Sequence, residues 1–223
     1  MVLKILKTVW PVMLTYVAIG APCGMIMAQA GMEPWMVFAL SSTFVTGCGQ
    51  FMVCNLWLAG VPAASIVASV AAISSRFALY SASIAPHLAG ASKRQTLAVA
   101  ATLTEEAYGI SLAKLIEGQD WGPRESFALN VILIATWGVS CTMGAVVGAV
   151  VDVPTALASF VCTSLFICLL FSQRLSRGNA VAAVLAAASV AVCKFLGWTN
   201  VAVPVSVLVG VAAALVCDAL AEG

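Results

Sequence analysis

The chain has 223 residues, of which 62% are hydrophobic and 9% are charged, and its formal net charge is +1. A soluble domain carries about a quarter charged residues, so the composition excludes an ordinary soluble fold and favours a membrane domain in a lipid bilayer. The near-neutral balance offers no basic face for nucleic acid, and we expect no nucleic-acid partner.

Long apolar runs follow one another along the chain, and each is long enough for a membrane-spanning helix of about 20 residues. The sequence predicts an all-α, polytopic membrane helix bundle of seven to eight spans, forming one domain over residues 1–223. The predicted spans lie near residues 8–30, 35–59, 64–88, 127–150, 155–172, 179–197 and 200–220, with an eighth candidate at 95–117. The count of Lys and Arg residues on each side does not decide between seven and eight spans, or the orientation.

Two pairs of glycines indicate that the domain is built from two related halves, 1–117 and 126–223. Gly20 and Gly24 lie in the first span, and Gly144 and Gly148 repeat the spacing after a polar connecting loop. Small residues at this spacing let helices approach closely, and internal repeats are common in secondary transporters. Chance in a chain rich in glycine, alanine and valine explains the repeat about as well.

Residues that could support catalysis or hold a cofactor form no known pattern. The chain contains no GxxxxGK[ST], HExxH or GxSxG motif, so we expect neither an enzyme nor a cofactor. No CxxC pair occurs and there is a single histidine, so no metal site is predicted. The cysteines all lie in predicted spans, where we expect them to pack as small apolar residues: Cys23, Cys48, Cys54, Cys141, Cys162, Cys168, Cys193 and Cys217.

A polar segment at residues 41–51 interrupts the second apolar run. It contains Gly47, Cys48, Gly49 and Gln50, and a glycine inside a helix costs about 1 kcal/mol relative to alanine. We therefore predict a broken helix near residues 47–50. Non-helical backbone at membrane depth is tolerated where it lines a cavity or is buried in protein, so these four residues are candidate substrate-binding residues. The alternative is a tightly packed helix interface of small residues.

Arg76 lies deep within an apolar run, where an arginine costs at least about 2.5–3.5 kcal/mol on membrane-insertion scales. Such a side chain should face the bundle interior and have a partner. That partner is either one of the carboxylates of Glu105 and Glu106 or the carboxylate of a ligand. Tyr80 lies four residues later on the same helical face and is a second candidate for substrate binding. A purely structural ion pair is the alternative.

Glu105 and Glu106 are adjacent in sequence, so on a helix their side chains point in directions about 100° apart. One of them can then neutralise Arg76 while the other takes up and releases a proton, and we assign the pair to ion pairing and coupling. The alternative is that the segment lies at the membrane interface, where both carboxylates are solvated.

Taken in order, these motifs resemble the AzlC-type family, the large subunits of bacterial branched-chain amino acid exporters. The resemblance lies in the first span, in an S…AG-x-x-Q-F element, in an R-x-x-L-Y element, in an L-T-D-E element and in a later span. The matching residues are Pro11, Tyr16, Gly20 and Gly24; Ser41, Gly47, Gln50 and Phe51; Arg76, Leu79, Tyr80 and Pro86; Leu103, Thr104, Glu105 and Glu106; and residues 156–170. Thr46, Ser74 and Glu105 depart from the residues usual in these elements.

The resemblance implies a multi-pass permease of the bacterial cytoplasmic (inner) membrane that exports amino acids together with a small AzlD-type membrane subunit. Arg76 or the backbone amides of residues 47–49 would bind the substrate carboxylate, and Glu105, Glu106 or backbone carbonyls its ammonium. Our hypothesis is alternating access about the break, coupled to proton entry. The alternatives are a transporter or channel for another small solute and a non-transporting membrane scaffold. The sequence does not fix the exact substrate, the coupling ion or the subunit stoichiometry.

Overall fold

The computed structural model describes residues 1–88, 90–118, 121–150, 160, 163–164, 167, 177–198 and 202–222. In these residues the chain forms α-helices and contains no β-strand, as predicted. A short 3₁₀ helix, Ala85–Leu88, extends the fifth helix. The helices are α1 (Val2–Gln29), α2 (Pro34–Thr43), α3 (Gly47–Leu58), α4 (Ala63–Ser74), α5 (Arg76–Ile84), α6 (Lys93–Ala101), α7 (Glu105–Glu117), α8 (Pro123–Val150), α9 (Arg177–Phe195) and α10 (Ala202–Glu222).

Within the described residues, four helical stretches are long and apolar enough to cross a membrane. They are Val2–Gln29, Ala63–Leu88, Pro123–Val150 and Gly178–Phe195, and they correspond to four of the predicted spans. The predicted span at 200–220 corresponds to α10, which contains a shorter apolar stretch, Val205–Ala214. The predicted span at 155–172 falls largely outside the described residues. The total of seven to eight spans therefore stays a prediction.

Three predicted spans are interrupted helices. Residues 44–46 separate α2 from α3, residue 75 separates α4 from α5, and residues 102–104 separate α6 from α7. The break predicted near residues 47–50 thus occurs just before them, and Gly47 is the first residue of α3. The interruption at 102–104 divides the predicted span at 95–117 and was not predicted.

Threonine side chains lie at both ends of the first and third interruptions, and the threonine at the second end caps the helix that follows. Before each break, Thr43 and Thr102 donate to the carbonyls of Ala39 and Ala98, at 2.8 Å and 2.7 Å. After each break, the Thr46 and Thr104 hydroxyls accept the backbone N–H groups of Gly49 and Ala107, each at 3.2 Å. An N-terminal cap of this kind contributes about 1 kcal/mol, so each second helix starts immediately after its threonine.

The chain forms two compact units. The first comprises Met1–Cys54 and Ser74–Cys162, and the second Asn55–Ile73 and Thr163–Gly223. In the first unit, α1 packs along α8, and α2, α6 and α7 also contact α8; in the second, α9 packs against α10. Each unit draws residues from both predicted halves. The predictions of a single domain and of two related halves stay predictions.

Helix α1 packs closely on α8 through the two glycine pairs noted in the sequence. A Cβ on Gly24 would overlap the carbonyl of Cys141, and a Cβ on Gly144 would overlap the carbonyl of Ala21. A Cβ on Gly148 would lie 3.1 Å from the Met25 Cα. The two pairs therefore pack in one interface, where the absence of side chains brings the helix backbones together.

Most cysteines within the described residues are buried, and their packing as small apolar residues stays a prediction, with Cys48 lying beside the charged side chains of Arg76 and Glu105. The buried ones are Cys23, Cys48, Cys54, Cys141 and Cys193, while Cys217 is half-buried. Cys162 and Cys168 lie outside the described residues.

We predict that Gly24→Ala and Gly144→Ala each destabilise the protein by about 1–3 kcal/mol or more, because the added methyl group displaces a backbone carbonyl across the interface. Gly109→Ala is the matched control, since a Cβ there meets nothing within 4 Å. Unfolding in detergent micelles would be followed by circular dichroism. Equal stabilities for all three variants would contradict the close α1–α8 contact.

Candidate functional site

Three helices of the first unit begin around one group of side chains. Arg76 is the first residue of α5 and Glu105 the first of α7, and the Arg76 Nη2 atom pairs with the Glu105 Oε1 atom. Cys48, in the first turn of α3, is close enough to both of these side chains to interact with them electrostatically. Helix N-termini carry a partial positive charge, so this arrangement favours carboxylates, whether the protein's own or a ligand's.

The ion pair is only partly enclosed by the chain. The Arg76 and Glu105 side chains are 31% and 22% exposed, and the guanidinium carbon lies 5.7 Å from the Phe77 ring centroid. Two donors at the same interruption, the Arg76 Nε and the Ser74 hydroxyl, are buried and have no hydrogen-bond partner among the described residues. Buried polar groups are normally paired, so this side of the cluster has unused hydrogen-bonding capacity.

Glu106 has different surroundings from its neighbour. Its Oε2 atom accepts a 2.5 Å hydrogen bond from the Tyr16 hydroxyl of α1, which also lies 3.3 Å from the Thr104 hydroxyl. Glu106 is exposed in this chain, whereas Tyr16 is buried. The two adjacent glutamates therefore have separate partners: Arg76 holds Glu105, and Tyr16 holds Glu106.

A fully buried glutamine spans the first interruption. The Gln50 side-chain nitrogen donates to the Phe44 carbonyl at 2.6 Å, and its Oε1 atom accepts from Ser41 at 3.1 Å and from the Trp137 indole at 3.0 Å. A Cβ on Gly47 would lie 3.1 Å from the Trp137 ring. Gly47 is therefore needed for close packing against α8, in addition to any effect on helix stability.

Gly49 has a comparable reason to lack a side chain. A Cβ there would lie 2.6 Å from the Thr46 methyl group and 3.1 Å from the Phe44 ring. The threonine that caps α3 occupies this space, so any larger residue at position 49 would disturb the cap.

The interruption between α6 and α7 is held by a side chain of α8. The buried Asn130 Nδ2 atom donates to the Val99 carbonyl at 3.1 Å and to the Thr102 hydroxyl at 3.0 Å. Val99 lies in the last turn of α6, and Thr102 is the residue that follows the helix. Asn130 therefore completes the hydrogen bonds that the end of α6 lacks.

Tyr80 lies to one side of the charged group. Its ring stacks on Tyr108 with centroids 4.4 Å apart, and both pack on an apolar cluster of four buried residues: Ile84, Leu88, Val99 and Leu103. A direct role for Tyr80 in substrate binding stays a prediction. Its evident contribution is to the packing of α5 against α7.

The structure brings Cys48, Arg76 and Glu105 together, and it connects Gln50 and Glu106 through Trp137 and Tyr16. From the sequence, Trp137 could either pack in the core or line a cavity, and Tyr16 and Asn130 had no assigned chemical role. An asparagine and a tryptophan in the interior of an apolar run were the available signals. Among the described residues, no three His, Cys, Asp or Glu side chains form a group that could hold a metal ion.

We predict that Arg76 and Glu105 are energetically coupled by about 0.5–3 kcal/mol, as expected for contacting residues. Arg76→Ala, Glu105→Ala and the double variant would form a double-mutant cycle on the free energy of unfolding. The double variant should lose less unfolding free energy than the two single variants lose together, because it leaves no unpaired charge.

The control cycle uses the exposed pair Lys114 and Glu117, whose charged atoms lie 2.8 Å apart. A surface pair contributes about 0–1 kcal/mol. Coupling at Arg76–Glu105 no larger than in this control would mean that the pair does not organise the site.

The model of a protein family, described as AzlC protein, matches residues 11–151, which include all the site residues described above. Neither a curated protein nor a solved structure matches the chain. The family match extends over more than half of the sequence and agrees with the apolar helices of a multi-pass membrane protein. The chain therefore belongs to the AzlC protein family.

Proposed function

We propose that this chain is a permease subunit that exports branched-chain and related apolar amino acids by secondary transport. The observation that carries the proposal is the meeting of three helix starts around an Arg–Glu pair, where buried donors and an accessible carboxylate lie close together in sequence and space. A zwitterion needs donors for its carboxylate and an acceptor for its ammonium. Ends of interrupted helices meet this need in other transporters.

The substrate carboxylate would bind at the starts of α3 and α5. The first N–H groups of a helix have no acceptor within it, and those of Gly47 and Cys48 begin α3 beside Arg76. The Arg76 Nε and the Ser74 hydroxyl would supply further donors. Because Glu105 already compensates the guanidinium charge, the carboxylate would be held by directed hydrogen bonds rather than by net charge.

The substrate ammonium would bind at Glu106. Its carboxylate is exposed, and the Tyr16 bond uses the Oε2 atom, so Oε1 can accept from an ammonium group. An apolar substrate side chain would lie against the apolar residues of the first interruption, Phe44 and Val45, which are partly exposed.

Charge balance provides a mechanism for proton coupling. With Arg76, Glu105 and Glu106 ionised, the group carries +1 − 2 = −1, which is costly in an apolar bundle. A proton at Glu106 restores neutrality, whereas a bound zwitterion compensates Glu106 with its ammonium group while the partial positive charges of the helix starts compensate its carboxylate. The substrate would displace the proton on the cytoplasmic side, and a proton from outside would take its place after release. Each cycle would then export one amino acid and import one proton.

Alternating access would arise from movement of the short helices about their interruptions. The interruptions at 44–46 and 102–104 are each held by a capping threonine and by one α8 side chain, so movement there would exchange a small set of hydrogen bonds. In keeping with the family resemblance, we place the protein in the bacterial cytoplasmic membrane with a small AzlD-type subunit.

We predict that Glu106→Gln lowers valine efflux by about tenfold to a hundredfold, because loss of a charge-assisted hydrogen bond costs about 1.5–3 kcal/mol. Efflux of valine, leucine, isoleucine and methionine would be measured from loaded cells expressing the chain with its small subunit. Glu117→Gln is the matched control, since Glu117 is exposed and belongs to a surface pair.

Equal abundance of the variants in the membrane would be verified by quantitative blotting. Wild-type efflux by Glu106→Gln would contradict the ammonium and proton roles of Glu106. Absence of efflux for all four amino acids, with the complex folded in the membrane, would contradict the substrate assignment. Efflux of another small solute from the same cells would then identify that solute, instead of an amino acid, as the substrate.

A further inference from the structure

A continuous line of contacts connects Glu106 to the interruption between α2 and α3. The Tyr16 hydroxyl donates to Glu106 at 2.5 Å, and the Tyr16 ring meets the Trp137 ring edge-on with centroids 5.2 Å apart. The Trp137 indole N–H donates to Gln50, whose amide holds the Phe44 carbonyl. Trp137 and Tyr16 are only 8% and 7% exposed, so little solvent can substitute for these contacts.

We propose that Trp137 is a positioning residue that transmits the charge state of Glu106 to the α2–α3 interruption. The inference rests on the proposed function, because it assigns different consequences to occupancy of Glu106 by a proton and by an ammonium group. Trp137 does not touch the substrate in this account. It sets the position of Gln50 and of the first turn of α3, against which it packs at Gly47.

The transmission follows from the unequal strength of two hydrogen bonds. A bond to an ionised carboxylate is roughly twice as strong as a neutral one. When Glu106 is protonated, Tyr16 loses that advantage and its hydroxyl turns towards Thr104, 3.3 Å away, whereas a carboxylate paired with an ammonium group stays ionised and keeps the bond. The ring shifts with it, Trp137 follows because the two rings are packed together, and the Gln50 contact across the interruption changes.

Other charged and titratable groups near this line belong to the cluster already described. Tyr16 interacts electrostatically with Glu105 as well as Glu106, and Cys48 interacts with Glu105, Glu106 and Arg76. Any pH response must therefore be assigned with a Glu106 variant, since titration of Glu105 or Cys48 could also alter the surroundings of Trp137.

The first test is tryptophan fluorescence of the purified full-length protein as the pH is lowered from about 7 to about 3, a range that includes the ordinary pKa of a carboxyl group. The chain has six tryptophans, and exposed Trp35 donates to Glu33 at 2.6 Å, so the titration is done in a Trp35→Phe parent. We expect a pH-dependent emission change in that parent. It should be lost on adding Trp137→Phe or Glu106→Gln and kept on adding Trp57→Phe, the exposed control.

The second test is valine efflux as a function of external pH. Trp137→Phe keeps an aromatic ring but loses the N–H donor, so it should flatten the pH profile while valine still raises the thermal stability of the protein. Tyr16→Phe should flatten it similarly, and the double variant should add little, since both act in one chain of contacts.

An emission change that persists in Trp137→Phe or in Glu106→Gln would overturn the proposal, as would the absence of any change in the parent. The absence of a change in the parent overturns the proposal without recourse to any variant. An emission change lost in both variants, in a protein that exports no amino acid, would support the contact line while contradicting the proposed function.

Discussion

The pairing of Arg76 with Glu105 is the constraint on which the site depends. An arginine side chain does not lose its proton in a protein, so inside an apolar bundle its charge must be compensated by a neighbour. The compensating carboxylate is the first residue of α7, and the arginine is the first residue of α5. Because each charge is attached to a helix start, satisfying the pair also fixes where those two helices begin relative to each other. The thiol of Cys48 brings the start of α3 to the same place.

Interrupting the helices gives the site its chemistry. A continuous helix satisfies its own backbone groups and offers little to a polar ligand, whereas each interrupted helix exposes N–H groups at its second start. Helix α8 supports two of the interruptions, through Trp137 and Asn130. Its close packing on α1 at the paired glycines also brings Tyr16 to Trp137. The close packing of α1 on α8 therefore also positions the polar side chains of the site.

Sequence reasoning identified the charged group because charges in apolar runs are costly and must meet. It also predicted a broken helix, but it assigned the break to the glycines. Gly47 and Gly49 instead lie in the first turn of α3, where they make room for Trp137 and for Thr46, and the threonine cap decides where the helix starts. The break at residues 102–104 carried a similar signal, a threonine followed by two glutamates, which is typical of a helix start.

The contacts of Tyr16 with Glu106 and of Gln50 with Trp137 could not be predicted from one sequence. Their partners are separated by 90 and 87 positions, and no local pattern determines which distant side chains meet. The separation of roles between the two glutamates follows from these contacts. The sequence showed only that adjacent residues on a helix point in different directions.

The central claim is that a substrate binds where α3, α5 and α7 begin. The most direct measurement is the alkylation rate of Cys48 in a variant with every other cysteine replaced by alanine, in membranes with and without valine. The account predicts that valine slows alkylation of Cys48 and that an equal concentration of glutamate does not. Alkylation at the same rate with and without valine, in a protein shown to transport valine, would contradict it.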